Sequence, residues 1–595
     1  MMHTIERTLV SLATYALPEE RIMKFQHLTA LALLTLPGLS AYAEATLELT
    51  PLPPTVRARP EGALPSAVPA VLKSARNEYE SLQVAITARG ESARAVDASI
   101  TPFTGSGAAA LPADATTLYR AAFVNVRHSS PRAAEAPGLI PDPLAPLLDP
   151  FTGEKIRSGR WTGEKVEGAT HGGAFFDLWA DHHEILWIDV RVPADAAPGD
   201  YTATLRVSAD NAPAAELPIA LTVWDFALPD GPTHENHFGG FGALANYHGL
   251  EPASEAFIQL EERYSAALAA HRINPELPRH LWPAAGEDGA AMFTEEIDQA
   301  ITAFVERHHL TNIQIPGAPF GDPLGANREK AQRFYRTCYE YLERKGWAER
   351  AYVYMLDEPN EIEAYQHVVD LGAMLREAHP KIRRLVVEQT YTQDPAWPSL
   401  EDSIDIWCPL FGFVDASSTK RLQANGSHVW SYTALTQTAP PYHPDYENVK
   451  ADLPPFWEID FPVTSHRIAP WLNRRYGITG LLYWSIVYYG SPDRDPWQDP
   501  GFRVRWNGEG ALFYPGEPAG IEGPVASIRL KNLRDGMEDY EYFALLEQRG
   551  GAAAVDAIVR EAVPTWGTWK QGPEILPSLR ERLAEEILRR KRSAD

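Results

Sequence analysis

The chain has 595 residues, 45% hydrophobic and 22% charged, an ordinary globular composition at a length that predicts two or three domains. A formal net charge of −25 without any basic run argues against nucleic acid as a partner. The two cysteines, Cys338 in a helical pattern and Cys408 at the end of a strand pattern, exclude a disulfide framework and read as buried free thiols.

The first 43 residues read as a leader and signal peptide. Met23-Lys24 opens a charged region, Leu28 to Leu39 supplies an apolar core, and Ala41-Tyr42-Ala43 matches the small-x-small cleavage pattern. Translation starts at Met1 or at Met23, and Glu44 begins the mature chain in either case. The protein is therefore expected to be exported, periplasmic or extracellular, with no integral membrane segment left after cleavage.

Residues 44–228 break into short β-rich runs, among them Ser81 to Ile86, Leu186 to Val192 and Tyr201 to Val207, which predicts a β-sandwich. Alternation puts Leu186, Ile188, Val190 and Val192 on one face. Pro198-Gly199-Asp200 predicts a hairpin from that strand into the next.

Pro229-Asp230-Gly231-Pro232 marks a linker, after which strand-like runs alternate with amphipathic helices. One helix carries Phe257, Leu260, Tyr264 and Leu268 behind a Ser254 cap, another Ile297, Ile301, Phe304 and Val305 behind Thr294. Strands are expected at His237 to Phe241, Arg272 to Asn274, Asn312 to Ile315, Ala351 to Leu356, Arg384 to Gln389, Ile404 to Trp407, His428 to Tyr432 and Leu481 to Ser485. That number suits a (β/α)8 TIM-type barrel over 229–530. A closing segment over 531–595 carries helices near Asn532 to Leu546 and Ile575 to Arg590. The expected class is a multidomain α+β chain: β-sandwich, barrel, helical closing segment.

Within Tyr352-Val353-Tyr354-Met355-Leu356-Asp357-Glu358-Pro359 an apolar strand ends in two carboxylates, the place where barrels carry catalytic groups. Neighbours on a strand point to opposite faces. A strand end relaxes this, and Pro359 biases Glu358 toward an extended conformation while removing a ladder donor. Paired carboxylates suit glycoside cleavage, which needs a proton donor and a nucleophile or charge stabiliser. The run Glu358 to Glu361 is equally suited to the first turn of the next helix.

Several runs together resemble glycoside hydrolase family 123, the β-N-acetylgalactosaminidases and their relatives: Tyr354 to Pro359, Gly508 to Gly516, Ser527 to Leu530, Leu533 to Tyr542, Ala75 to Ser81 and Pro198 to Tyr201. The resemblance implies a β-sandwich followed by a (β/α)8 barrel, a glycan or glycoconjugate substrate, and neither metal nor organic cofactor. It also implies substrate-assisted retaining catalysis at terminal β-linked N-acetylhexosamine, GalNAc favoured. Asp357 would orient the 2-acetamido group, and Glu358 would protonate the leaving oxygen and later activate water.

Tyr391, just past a strand end, is a candidate to close over the acetamido group, or is a surface-loop tyrosine. Trp430, Tyr432 and Trp484, at the ends of the last two strands, are candidate sugar-stacking aromatics, with core packing as the alternative for each. His237 is a candidate hydrogen-bonding partner for sugar hydroxyls. His234 and Glu235 beside it offer no third ligand at metal-like spacing, and His182-His183-Glu184 reads as a solvated strand start. Arg534, Asp535, Glu538 and Asp539 suit a structural ion network at least as well as substrate contact. Two other functions stay open: a glycosidase of another sugar specificity with a direct carboxylate nucleophile, and a catalytically silent carbohydrate-binding protein.

Overall fold

The computed structural model describes residues 44–106, 109–133, 135–161 and 166–594; the expected leader and cleavage pattern lie outside them. Among the described residues no helix is long and apolar enough to cross a membrane.

The N-terminal region is built from two sheets. One orders the strands Thr46–Leu52, Glu78–Arg89, His183–Val192, Thr116–Val126 and Gly138–Pro146, and the other is built around Ala93–Ile100, Gly199–Ala209 and Ala212–Ala227. Leu186, Ile188, Val190 and Val192 face Tyr201, Ala203, Leu205 and Val207 in one shared core. The strands His183–Val192 and Gly199–Ala209 therefore lie in different sheets, and the expected hairpin is not formed. Both carry apolar inner faces, so the Pro198-Gly199-Asp200 connection crosses the sandwich instead of folding back beside its own strand.

The outer face of His183–Val192 is also buried, because Ile185 and Trp187 pack with Val463 and Ile528. Asp189 on that face accepts from Lys531 Nζ and Arg534 Nη1, each at 2.8 Å, and from Ser81 Oγ at 2.7 Å. Arg467 Nε donates to Asp539 at 2.8 Å. Arg534, Asp535, Glu538 and Asp539 are all buried on the helix Ile528–Gln548. They form an ion network between that helix, the sandwich and the helix Thr464–Tyr476. The closing segment adds Ala552–Ala562 and Ile575–Ala594.

Beyond the linker, seven parallel strands form one sheet in the order Glu235–Phe238, Gly480–Tyr483, His428–Thr433, Ile406–Trp407, Arg383–Val387, Ala351–Asp357, Ile313–Ile315. Seven of the eight expected strands are present. The predicted Ser254 and Thr294 caps accept from Phe257 N and Ile297 N. The strand expected at Arg272 to Asn274 is absent, so the eight-stranded ladder is not completed. Arg272 has φ +56°, outside the β region, and Pro275 offers no backbone donor.

Asparagine side chains occupy the gap this leaves. Asn274 N donates to Asn236 Oδ1 at 2.8 Å, and Thr311 N donates to Asn274 Oδ1 at 3.0 Å. Asn236 N donates to Asn312 Oδ1 at 3.2 Å, while Asn312 Nδ2 donates to Asn236 O at 2.8 Å. Buried backbone groups that lack a strand partner are thus satisfied by amides.

Candidate active site

The strand Ala351–Asp357 carries the acid pair, and its register explains how the pair is presented. Tyr354 pairs with Leu385 and Leu356 with Val386, so Met355 is an extra residue. Val353, Met355 and Leu356 pack outward toward the helices, whereas Tyr352 and Tyr354 pack into the sheet's interior cluster with Trp430 and Tyr432. In a regular strand Tyr354 and Asp357 would face opposite sides. The bulge resets the alternation, and the Tyr354 hydroxyl donates to Asp357 Oδ1 at 2.9 Å.

Glu358 departs from its expected extended backbone: its φ is +43°. Its N–H still donates to Val387 O at 3.1 Å, one step beyond the strand. The left-handed turn then brings its carboxylate round to accept from the Tyr432 hydroxyl. A non-glycine residue held there costs about 1–3 kcal/mol, and such residues cluster at functional sites. The next helix starts only at Ile362, so Glu358 is not a first-turn acid. Both carboxylates are exposed.

Glu358 borders a pocket of about 210 Å³ lined by Glu388, Gln389, Gln393, Phe413 and Tyr442. Burial pushes the Glu388 carboxyl up to about 8. Hydrogen bonds from Tyr365 Oη at 2.9 Å and Gln393 Nε2 at 3.3 Å work against that rise without cancelling it.

The other expected site residues separate into two groups. Tyr432 touches Glu358 and lines its pocket. His237 lies within 5.8 Å of the Tyr354 ring, between Tyr352 Oη at 2.8 Å and Glu276 Oε1 at 3.3 Å. Burial lowers His237 to about 4, so the imidazole is neutral at neutral pH. Trp484 follows the strand Gly480–Tyr483 and is half-buried, packed on Tyr488 and Phe502. Its indole N–H donates to the buried Glu509. Gly510 at φ +72° makes this contact possible, since a Cβ there would collide with the Trp484 ring.

Trp430 and Tyr391 lie elsewhere. Trp430 is fully buried in the sheet interior, where its indole N–H donates to Glu235 Oε2 at 3.1 Å, so its rings pack core. Tyr391 lines a separate small pocket with Thr390 and Arg421, behind Tyr442. The neighbours of the acid pair that sequence reading missed are Tyr354 as a partner of Asp357, together with Glu388, Gln393 and Tyr442. Glu388 falls inside the strand expected at Arg384 to Gln389, whereas the observed strand ends at Val387 and leaves it just beyond; Tyr442 sits in a loop that carries no periodic signal.

Cys338 and Cys408 are both buried and free. His182 pairs with Glu61 at 3.0 Å and His183 with Thr87 at 2.8 Å, both in the sandwich. Among the described residues no group of three or more His, Cys, Asp or Glu side chains is placed to hold a metal ion.

Comparison with known proteins bears on this geometry. Residues 315–546 match the family described as glycoside hydrolase 123, catalytic domain. That span contains the acid pair, Glu388, Tyr432 and Trp484. No curated protein matches the chain. A family 123 glycoside hydrolase from Clostridium perfringens, solved in work on glycolipid glycan hydrolysis, superposes with a TM-score of 0.63 at 12% identity, covering 92% of this chain and 99% of that one. A Bacteroides ovatus GH5 xyloglucanase gives a TM-score of 0.28 at 11% identity, over 79% of this chain and 98% of its own. A GH2 β-galacturonidase from Eisenbergiella tayi gives 0.26 at 9% identity, over 83% and 72%. With its acid pair at a strand end and the family match running through that site, the chain is a glycoside hydrolase whose residues 315–546 match the family 123 catalytic domain.

Proposed function

We propose that this hydrolase removes terminal β-linked N-acetylhexosamine, GalNAc favoured, by substrate-assisted retaining catalysis. The observation that carries the reading is the unequal presentation of two adjacent carboxylates: Asp357 held by Tyr354 and Glu358 turned back to Tyr432. One is fixed for orientation and the other stands at the mouth of a pocket, which suits different roles in one reaction.

In the first step Glu358, as the acid, gives its proton to the glycosidic oxygen while the substrate's acetamido oxygen bonds to the anomeric carbon. The bond to the leaving group breaks with its electron pair on that oxygen. Asp357 accepts the acetamido N–H and offsets the positive charge that grows on the resulting oxazolinium. In the second step Glu358, now carboxylate, takes a proton from water as the water oxygen attacks the anomeric carbon. The acetamido group is released, the configuration is retained and the acid form of Glu358 is restored. Tyr432 and Trp484 serve as contacts for the sugar's faces, and His237 for its hydroxyls.

The leader pattern supports export to the periplasm or the exterior, and N-terminal sequencing of the mature protein would give Glu44. Hydrolysis of aryl β-GalNAc, β-GlcNAc and β-galactoside side by side tests the reaction. Preference for the two acetamido sugars upholds substrate assistance. Equal cleavage of the galactoside favours the second reading, a direct carboxylate nucleophile.

A further inference from the structure

The β-sandwich lies outside residues 315–546, yet one of its loops is fixed to the barrel. The chain that leaves the strand Thr116–Val126 is held there by Ser130, which is buried. Ser130 N donates to Asp460 Oδ2 at 2.6 Å, and Ser130 Oγ accepts from Asn507 N and Nδ2, each at 3.0 Å. Asn507 Nδ2 also donates to His128 O at 2.9 Å. Asn507 in turn ends the short hairpin that pairs Gly501–Phe502 with Trp506–Asn507.

Just beyond this knot stands Arg132. Its φ of +69° is a left-handed conformation that a non-glycine residue keeps only where its surroundings hold it, and Ala133 N closes the turn by donating to Ser130 O at 3.0 Å. The guanidinium then spans the segment that follows the strand His428–Thr433: Nε donates to Thr436 O and Nη2 to Thr438 Oγ1, each at 3.3 Å. Trp506 of the hairpin holds the same point, its indole N–H donating to Thr436 Oγ1 at 3.4 Å. Between the two threonines lies Gln437, which lines the pocket that Glu358 borders, as does Tyr442 further along. The segment is also pressed on the turn Phe411–Phe413, where a Cβ on Gly412 would lie 2.5 Å from Gln437 O.

We propose that Arg132 is a positioning residue of the hydrolase: from the sandwich, it holds the segment that carries Gln437 and Tyr442 in place as one wall of the pocket at Glu358. The inference rests on the reading of that pocket as part of the sugar site and goes beyond it by making the sandwich a working part of the active site. Each contact of Arg132 is long, and a single one would fix little. A guanidinium is a planar, rigid fork, so two bonds on either side of Gln437 set the direction of the segment between them as well as its distance. Arg132 does not follow a shift of that segment, because Ser130 and the left-handed turn tie its backbone to Asp460 and Asn507. A displacement at Thr436 passes to Gln437, since the close approach at Gly412 leaves no slack. Arg132 itself is exposed, so what it supplies is direction and little stability.

The test measures steady-state hydrolysis of aryl β-GalNAc and melting temperatures for wild type, Arg132→Ala, Thr438→Val and the double variant. Arg132→Ala is expected to lower kcat/KM about tenfold, mostly through KM, with a melting temperature near wild type. Thr438→Val, which keeps the shape and removes one acceptor, should lose less, and the double variant should lose no more than Arg132→Ala alone. Arg132→Lys keeps the charge without the fork and should recover only part of the loss. Unchanged kcat/KM in Arg132→Ala, losses that add in the double variant, or a loss matched by a fall in melting temperature would overturn the proposal. If wild type does not cleave the aryl glycoside, the sugar reading has failed, and the positioning role is decided by hydrogen exchange of the full chain. Faster exchange in Arg132→Ala confined to the amides between Ala434 and His443 upholds it. Exchange equal to wild type, or faster throughout the chain, overturns it.

Discussion

The hydroxyl of Tyr354 reaches Asp357 Oδ1 across 2.9 Å from three residues upstream on the same strand, and only the extra residue at Met355 puts the two on one face. Tyr354 is thereby a positioning residue for Asp357. Tyr354→Phe keeps the ring packed and removes one hydrogen bond to a charged group, worth about 1.5 kcal/mol. The expected outcome is kcat down about tenfold with KM nearly unchanged, measured on aryl β-GalNAc.

Glu388 makes stability depend on pH in a direction that can be checked. Unfolded, its carboxyl titrates near 4.5; folded, burial holds it up to about 8. Between those values the folded chain keeps a proton that the unfolded chain has released, so this contribution is full below about 4.5 and is lost as pH rises toward 8. Glu388→Gln removes the titration. Its melting temperature relative to wild type should rise from pH 5 to pH 8, as followed by thermal melts across that window.

Asn236 substitutes for ladder bonds where the eighth strand is missing, by accepting from Asn274 N. Asn236→Ala leaves that buried donor unsatisfied. A loss of about 2–4 kcal/mol is expected, read from denaturant midpoints.

Arg534 separates a structural role from a substrate role. Its guanidinium is buried against Asp189 and Asp535. Removing one partner of such a pair costs about 3–5 kcal/mol. Arg534→Met should lower the denaturation midpoint sharply while KM of the folded fraction stays put; a raised KM with intact stability would make it a substrate residue.

The same residues show what a sequence can carry. Apolar runs such as Tyr352 to Leu356 and Val429 to Tyr432 locate strands because periodicity and burial go together, and the abrupt switch to Asp357-Glu358 marks the site. Single-residue events escape that logic. The bulge at Met355, the left-handed turn at Glu358 and the sheet change between Val192 and Gly199 are tertiary choices without a periodic signature. The last two overturned expectations, the extended Glu358 and the hairpin at Pro198-Gly199-Asp200. Trp430 shows the converse: an aromatic near a strand end reads alike whether it faces a sugar or, as here, the half-buried carboxylate of Glu235.

The Asp357-Glu358 assignment is tested most directly by steady-state hydrolysis of aryl β-GalNAc and aryl β-galactoside by wild type, Asp357→Asn and Glu358→Gln. Substrate-assisted catalysis predicts that wild type strongly prefers β-GalNAc and that each variant loses about 10²–10⁴-fold in kcat. Turnover of the galactoside equal to that of β-GalNAc, or an unchanged rate in either variant, would contradict it.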